Sequence, residues 1–122
     1  MKNLICILLC VFIVAVGQVL LKFGVSEIPK NMPLISIATI QSLIGNVYFL
    51  AGVVLYVISF ILWLYVLSNV RVSYAYPFLS LSYPLVVLMS NALLGEPFSR
   101  GAWVGVILIT IGVCIIGFYI KG

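Results

Sequence analysis

The chain of 122 residues is 66% hydrophobic, with six basic and two acidic side chains, a formal net charge of +4 and no histidine. A soluble globular domain carries about a quarter charged residues, so this composition excludes that class and predicts an integral membrane protein. The small basic excess favours anchoring at the membrane surface over binding of nucleic acid.

Charges and prolines divide the chain into four apolar segments, each close to the roughly 20 residues that a membrane-spanning helix needs. We therefore predict an all-α membrane protein made of a single four-helix transmembrane domain with short loops. The predicted spans cover residues 3–25, 46–67, 72–94 and 101–120. Residues 1–17 also resemble a secretory signal, but the apolar run continues to Phe23, which favours a retained span.

The first segment carries Gln18 and Lys22 one turn apart on the same face. A lysine near the end of a span often extends its amine to the lipid head groups. The alternative interpretation is a cation at one mouth of a transport path, where it meets a phosphate. A second face of small residues suits close helix packing, and its members are Cys6, Cys10, Gly17 and Gly24.

Residues 26–42 contain two prolines and both signs of charge, so they predict a connection rather than a span. Apolar residues at helical spacing predict a short helix at the membrane interface; they are Leu34, Ile37, Ile40 and Ile44. A helix from Leu34 to Leu67 would be about 50 Å long against about 30 Å of hydrocarbon. We therefore predict a break near Gly45 and Asn46.

The second and third segments each carry a stripe of polar and aromatic residues within an arc of about 80°. In the second segment the stripe comprises Gly45, Tyr48, Gly52, Tyr56, Ser59 and Trp63. In the third it comprises Ser73, Tyr76, Ser80, Tyr83 and Asn91. Tyr56 and Ser59 fall mid-span, where interfacial anchoring does not explain them, and cavity lining and packing remain equal interpretations. The tight turn at residues 68–71 predicts that these two segments lie antiparallel and side by side.

Two prolines interrupt the third segment at the edge of its stripe. A proline inside a helix cannot donate to the carbonyl four residues earlier, so Pro77 and Pro84 predict spare acceptors at Ser73 and Ser80. Unpaired carbonyls are costly in hydrocarbon, which favours a polar path through the membrane. A kinked packing helix is the alternative, because Pro77 lies close enough to the helix start to leave no carbonyl unpaired.

The fourth segment has Gly101, Gly105 and Gly112 on one face, the pattern that lets two membrane helices approach closely. We predict a dimer through this face, formed by two copies or by this chain and a similar four-helix subunit. The cysteines at 6, 10 and 114 form no CxxC pair and have no histidine beside them, so we interpret them as packing residues. We expect no metal, no cofactor, no nucleic-acid partner and no enzymatic activity.

Three landmarks together resemble the drug/metabolite transporter superfamily, and within it the EamA-like, four-helix small multidrug resistance-like branch. They are GQVLLKF at 17–23, AYPFLSL at 75–81, and GEP at 95–97 followed by Trp103, Gly105 and Gly112. Small multidrug resistance proteins exchange protons for cationic drugs with a glutamate in the first span, a position that corresponds to Val14 here. Their substrate-binding tyrosine corresponds to Tyr76, and their glycine-rich kink falls on residues 81–83, where glycine is absent but Pro84 can supply a bend.

The chain is more similar to subunits of the aminoarabinose-phosphoundecaprenol flippase, which share GQ, the lysine and the AYPxLSL run. That resemblance implies a multi-pass protein of the bacterial inner membrane that flips a polyprenyl-phosphate-linked aminosugar between leaflets, as part of lipid A modification. Lys22 would then bind the phosphate, and Glu96 would attract an amino group or simply end the helix at the GEP turn. The remaining candidate substrate-binding residues are Gln18, Tyr56, Ser59, Trp63, Tyr76, Ser80, Tyr83 and Asn91.

Two other functions fit the same fold. An exporter of small amines or drugs requires a proton-coupled acid, and only Glu27 and Glu96, both near the membrane surfaces, are present. A non-transporting subunit that stabilises another membrane protein requires no polar path at all.

Overall fold

The structure is a computed structural model that describes residues 1–33 and 35–120. These residues form helices joined by loops: α1 Lys2–Ser26, α2 Ile37–Ile44, α3 Val47–Asn69, α4 Val72–Leu79, α5 Ser82–Leu94 and α6 Arg100–Tyr119. Four stretches are long and apolar enough to cross a membrane, namely α1, α3, α4 with α5, and α6. The chain is therefore an all-α, multi-pass membrane protein.

The predicted break before α3 is confirmed. Helix α2 ends at Ile44, and the side-chain oxygen of Asn46 accepts the backbone N–H groups of Tyr48 and Phe49 at 2.9 and 3.2 Å. This side chain caps the start of α3, where the first N–H groups have no partner within the helix. The predicted short helix exists as α2, whereas Leu34, its predicted first apolar residue, lies outside the described residues.

Helices α1 and α3 cross in close contact because glycines stand at the crossing. A Cβ atom placed on Gly24 would lie 2.8 Å from the backbone nitrogen of Phe49. One placed on Gly52 would lie 3.1 Å from the carbonyl oxygen of Gly17. The small-residue face predicted for the first segment therefore packs inside the chain, against α3.

The third segment is two helices rather than one. Because Pro84 has no N–H to offer, the carbonyl of Ser80 accepts from the N–H of Tyr83 instead, at 3.1 Å, and the helix breaks at Ser80 and Leu81. The prediction of a spare acceptor at Ser80 is therefore wrong, since the N–H of Tyr83 replaces the N–H that Pro84 lacks. The helix is interrupted at Ser80 and Leu81, just before Pro84.

The described core lies toward the end of the bundle that carries the α3–α4 turn, here named the Arg71 end. It is built from α1, α3, α4 and α6, and its members are Ile7, Val11, Val66, Val70, Ala75, Phe78 and Val113. The opposite end, named the Lys22 end, holds the α1–α2 loop, the start of α3 and the α5–α6 loop. The cluster of buried apolar side chains thus lies at the Arg71 end.

Helix α6 lies at the edge of the bundle, with only 6% of its most apolar stretch buried against 33% for α1. On its inner side, a Cβ placed on Gly117 would meet the ring of Phe78 at 3.0 Å. The prediction that the second and third segments pack side by side holds only in part. Helix α3 packs chiefly on α1 and approaches α4 near the turn and at one aromatic pair.

Candidate functional site: a cavity between four helices

A cavity of about 650 Å³ lies between α1, α3, α4 and α5. Seven of the ten predicted substrate-binding residues line it, and these are Gln18, Tyr56, Ser59, Trp63, Tyr76, Ser80 and Tyr83. They come from three predicted spans, so the stripes of the second and third segments face one space together with Gln18 of the first. The structure thus assembles polar and aromatic side chains around one cavity of an otherwise apolar protein.

The polar side chains of the cavity differ in exposure and in whether they already form a hydrogen bond within the protein. Ser59 is 3% exposed, and its hydroxyl donates to the carbonyl of Tyr56 at 2.8 Å, within its own helix. The hydroxyl of Ser80 likewise donates to the carbonyl of Pro77. By contrast, Tyr76 and Tyr83 are 60% and 66% exposed. The tyrosines are therefore better placed than the serines to contact a ligand.

An aromatic pair bridges α3 and α4 at the floor of the cavity. The rings of Trp63 and Tyr76 meet edge to face, with centroids 5.8 Å apart and an interplanar angle of 71°. Such a pair adds about 0.5–1.5 kcal/mol beyond the burial of its surface. Trp63 and Leu79 also pack against the core, so the cavity adjoins the core at the Arg71 end.

Several lining residues were not among the predicted ones, and they are Cys10, Val14, Phe60, Leu79, Ser82 and Val86. Cys10 and Val14 precede Gln18 by two turns and one turn of α1, so helical spacing alone contains the signal that places them on the same face. The sulfur of Cys10 lies 3.3 Å from the carbonyl oxygen of Ser59. Val14, which the resemblance to the small multidrug resistance proteins pairs with their glutamate, presents an aliphatic surface to the cavity.

The other three predicted residues lie outside this cavity, at the Lys22 end. Asn91 and Glu96 line a second cavity of about 290 Å³, which shares Val86 with the first. The side-chain amide of Asn91 donates to the backbone carbonyl of Glu96 at 2.9 Å, so it holds the α5–α6 loop. The amine of Lys22 lies 3.9 Å from a carboxylate oxygen of Glu96.

Four members of the predicted stripes have no part in either cavity, and one of them is Gly52, which lies at the crossing of α1 and α3. Ser73 is exposed near the start of α4, and Gly45 lies in the turn before α3. Tyr48 stacks against Phe23, with ring centroids 5.7 Å apart. The break between α4 and α5 explains part of this difference, because the helical arc was drawn for one straight helix. Within the described residues no cluster of His, Cys, Asp and Glu is able to hold a metal ion.

Two of the known proteins similar to this chain are named as subunits of a flippase. ArnF of Aeromonas salmonicida, named as a subunit of a 4-amino-4-deoxy-L-arabinose-phosphoundecaprenol flippase, is 31% identical over 118 residues, which are 95% of this chain and 79% of ArnF. ArnE of Klebsiella pneumoniae, named as a subunit of the same kind of flippase, is 46% identical over 57 residues, 47% of this chain and 51% of ArnE.

A third relative, the uncharacterized protein y4nH of Sinorhizobium fredii, is 32% identical over 99 residues, 80% of each chain. No solved structure matches the chain. The EamA-like transporter family matches residues 46–118, which comprise three of the four candidate membrane spans. The chain belongs to the EamA-like transporter family.

Proposed function

We propose that this chain is a subunit of a transporter of the bacterial inner membrane that moves a polyprenyl-phosphate-linked aminosugar between leaflets, and that it acts by transport rather than catalysis. The observation that carries the proposal is the central cavity, which collects Gln18, Tyr56, Tyr76 and Tyr83 inside an apolar four-helix bundle. The relatives ArnF and ArnE, named as flippase subunits, support the choice of substrate class.

A cavity of this kind lowers the barrier that keeps a sugar phosphate on one side of a bilayer. Moving polar groups into hydrocarbon without hydrogen bonds costs several kcal/mol for each group. The tyrosine hydroxyls and the Gln18 amide replace part of the lost hydration, while the polyprenyl tail stays in the lipid. The volume of about 650 Å³ is within the usual range for small-molecule sites.

Exit of the head group at the Arg71 end requires a rearrangement. The pair of Trp63 and Tyr76 and the core behind it close that end, so transport requires the contact between α3 and α4 to open. We expect the described conformation to receive the head group from the Lys22 end.

Export of small cations by proton exchange is not favoured. The only acidic residues of the chain are Glu27 and Glu96, and neither lies within a helix. A carboxylate of Glu27 accepts the amide N–H of Asn46 at 2.6 Å, outside both cavities. At the position that corresponds to the small multidrug resistance glutamate stands Val14, which neither titrates nor attracts a cation.

The proposed working unit is a dimer, in which α6 meets a second four-helix subunit. A Cβ atom on Gly101, Gly105 or Gly112 would meet nothing within 4 Å, so this face of α6 is open. It lies roughly 100° or more around the helix from Val113 and Gly117, which pack inward. The partner is a second copy or a similar subunit, as the existence of both ArnE and ArnF relatives suggests.

The proposed place of α2 is the membrane interface. Ile37, Ile40 and Ile44 are more than half exposed and recur at helical spacing, which suits a helix that lies in the head-group region.

The test is transport in liposomes that contain the chain, alone and together with an ArnE-type subunit. The probe is a polyprenyl-phosphate aminosugar. A membrane-impermeant reagent modifies only the sugar in the outer leaflet, and the modified fraction measures transfer. We expect transfer far above that of protein-free liposomes. The double variant Tyr76→Phe with Tyr83→Phe should slow transfer about fivefold for each hydroxyl, which corresponds to one hydrogen bond.

The matched control replaces two exposed tyrosines outside the cavity, Tyr65→Phe with Tyr119→Phe, which should leave the rate unchanged. Transfer no faster than in protein-free liposomes, with either subunit composition, would contradict the proposed function. Equal slowing by both double variants would contradict the role of the cavity.

A further inference from the structure

We propose that Lys22, Glu96 and the small cavity beside them form a subsite that selects head groups carrying both a phosphate and an ammonium group. This inference rests on the proposed function and names the charge pattern of its substrate. Lys22 would bind the phosphate and Glu96 would bind the ammonium. The ion pair between Lys22 and Glu96 would break when the head group binds.

The α5–α6 loop holds Glu96 in a defined place. Helix α5 ends at Gly95, which adopts the left-handed conformation with φ 65°, and the N–H of Glu96 donates to the carbonyl of Ser90 at 3.4 Å. The amide of Asn91 then donates to the carbonyl of Glu96 at 2.9 Å. These bonds hold the backbone N–H and carbonyl of Glu96, so the backbone of this residue is positioned by the loop and not by Lys22.

The pair between Lys22 and Glu96 is loose enough to exchange partners. Its N–O distance of 3.9 Å exceeds the roughly 2.8 Å of a direct charge-assisted hydrogen bond. The two side chains are 58% and 49% exposed, so solvent screens their attraction. A ligand that offers a charge of each sign therefore displaces a weak interaction and replaces it with two.

Selectivity follows from the charge that a wrong ligand leaves unpaired. A head group with only a phosphate binds Lys22 and leaves the Glu96 carboxylate alone beside a second negative charge. Like charges brought together in this way oppose binding, and such repulsion is a common source of specificity. A head group with an ammonium satisfies both residues, so a neutralised amine should be the discriminating change.

The subsite lies on the route to the central cavity. Lys22 follows Gln18 by one helical turn, about 6 Å along α1. The small cavity of about 290 Å³ and the central one share the lining residue Val86. A head group that enters at the Lys22 end thus meets the two charges before it meets the tyrosines.

The experiment compares two probes in the reconstituted transporter: a polyprenyl-phosphate aminosugar and the same lipid with its amine acetylated. We expect the wild-type protein to transfer the free amine at least about fivefold faster. Glu96→Gln keeps the shape of the side chain and should abolish the preference while still transferring the acetylated lipid. Lys22→Gln should slow the transfer of both.

The matched control is Glu27→Gln, which removes the only other carboxylate side chain, also at the Lys22 end but outside both cavities. It should retain the preference. The inference is overturned if Glu96→Gln keeps the wild-type preference, if it loses transfer of both lipids, or if the wild-type protein transfers both equally. Absence of any wild-type transfer would instead overturn the proposed function.

Discussion

Replacing Gly24 by alanine tests the close crossing of α1 and α3, which positions two walls of the cavity. The new Cβ would lie 2.8 Å from both the nitrogen and the Cβ of Phe49. Because these atoms cannot rotate away, the two helices have to separate. Overpacking of this kind costs about 1–3 kcal/mol, and alanine regains up to about 1 kcal/mol of helix propensity. We expect a net loss of about 1–2 kcal/mol, since the clash involves backbone.

The assay is unfolding of the detergent-solubilised protein by increasing mole fraction of SDS. A loss of this size lowers the ratio of folded to unfolded protein by a factor of about 5–30 and shifts the midpoint accordingly. The control is Gly45→Ala, because a Cβ there would lie 3.5 Å from the carbonyl of Gln41, an ordinary contact. A Gly24→Ala midpoint equal to that of the control would refute the crossing.

Two further predictions concern α6 and the break in the third segment. Gly105→Leu with Gly112→Leu fills the open face, so it should separate the dimer and abolish transport while all four spans stay inserted; cross-linking that still joins the double variant through α6 would place the interface elsewhere. Pro84→Ala supplies an N–H to the carbonyl of Ser80, so it should join α4 and α5 and slow transport without lowering stability; hydrogen exchange across residues 80–84 that stays as fast as in wild type would contradict this.

The number of spans and the break before α3 were predictable because hydrocarbon thickness limits helix length. A helix through Asn46 would have been too long for the bilayer, and the asparagine is a good cap for the helix that follows. The convergence of Gln18, Tyr56 and Tyr76 was also within reach, because helical periodicity places each on one face. Helical periodicity does not predict distances between helices and loops. The distance of 3.9 Å between the Lys22 amine and the Glu96 carboxylate is therefore seen only in the structure.

Other features, such as which helix faces pack together, do not follow from the spacing of residues along the sequence. Small-residue faces occur on both α1 and α6, and the sequence does not tell which one packs inside the chain; Gly24 contacts Phe49, whereas Gly105 remains open. The carbonyl of Ser80 accepts a hydrogen bond from the N–H of Tyr83, because the hydrogen-bond pattern shifts by one residue. Adjustments of this size are too local for a helical wheel to represent.

The most direct test of the account is to map where the sugar head group contacts the protein. The probe is a polyprenyl-phosphate aminosugar with a photoreactive group on the sugar, incorporated with the protein into liposomes and located by mass spectrometry after illumination. We predict attachment to the peptides that contain Val14, Tyr76 and Tyr83, all in the cavity wall. Attachment confined to exposed positions that line neither cavity, such as Val57 and Ile107, would contradict a path through the cavity.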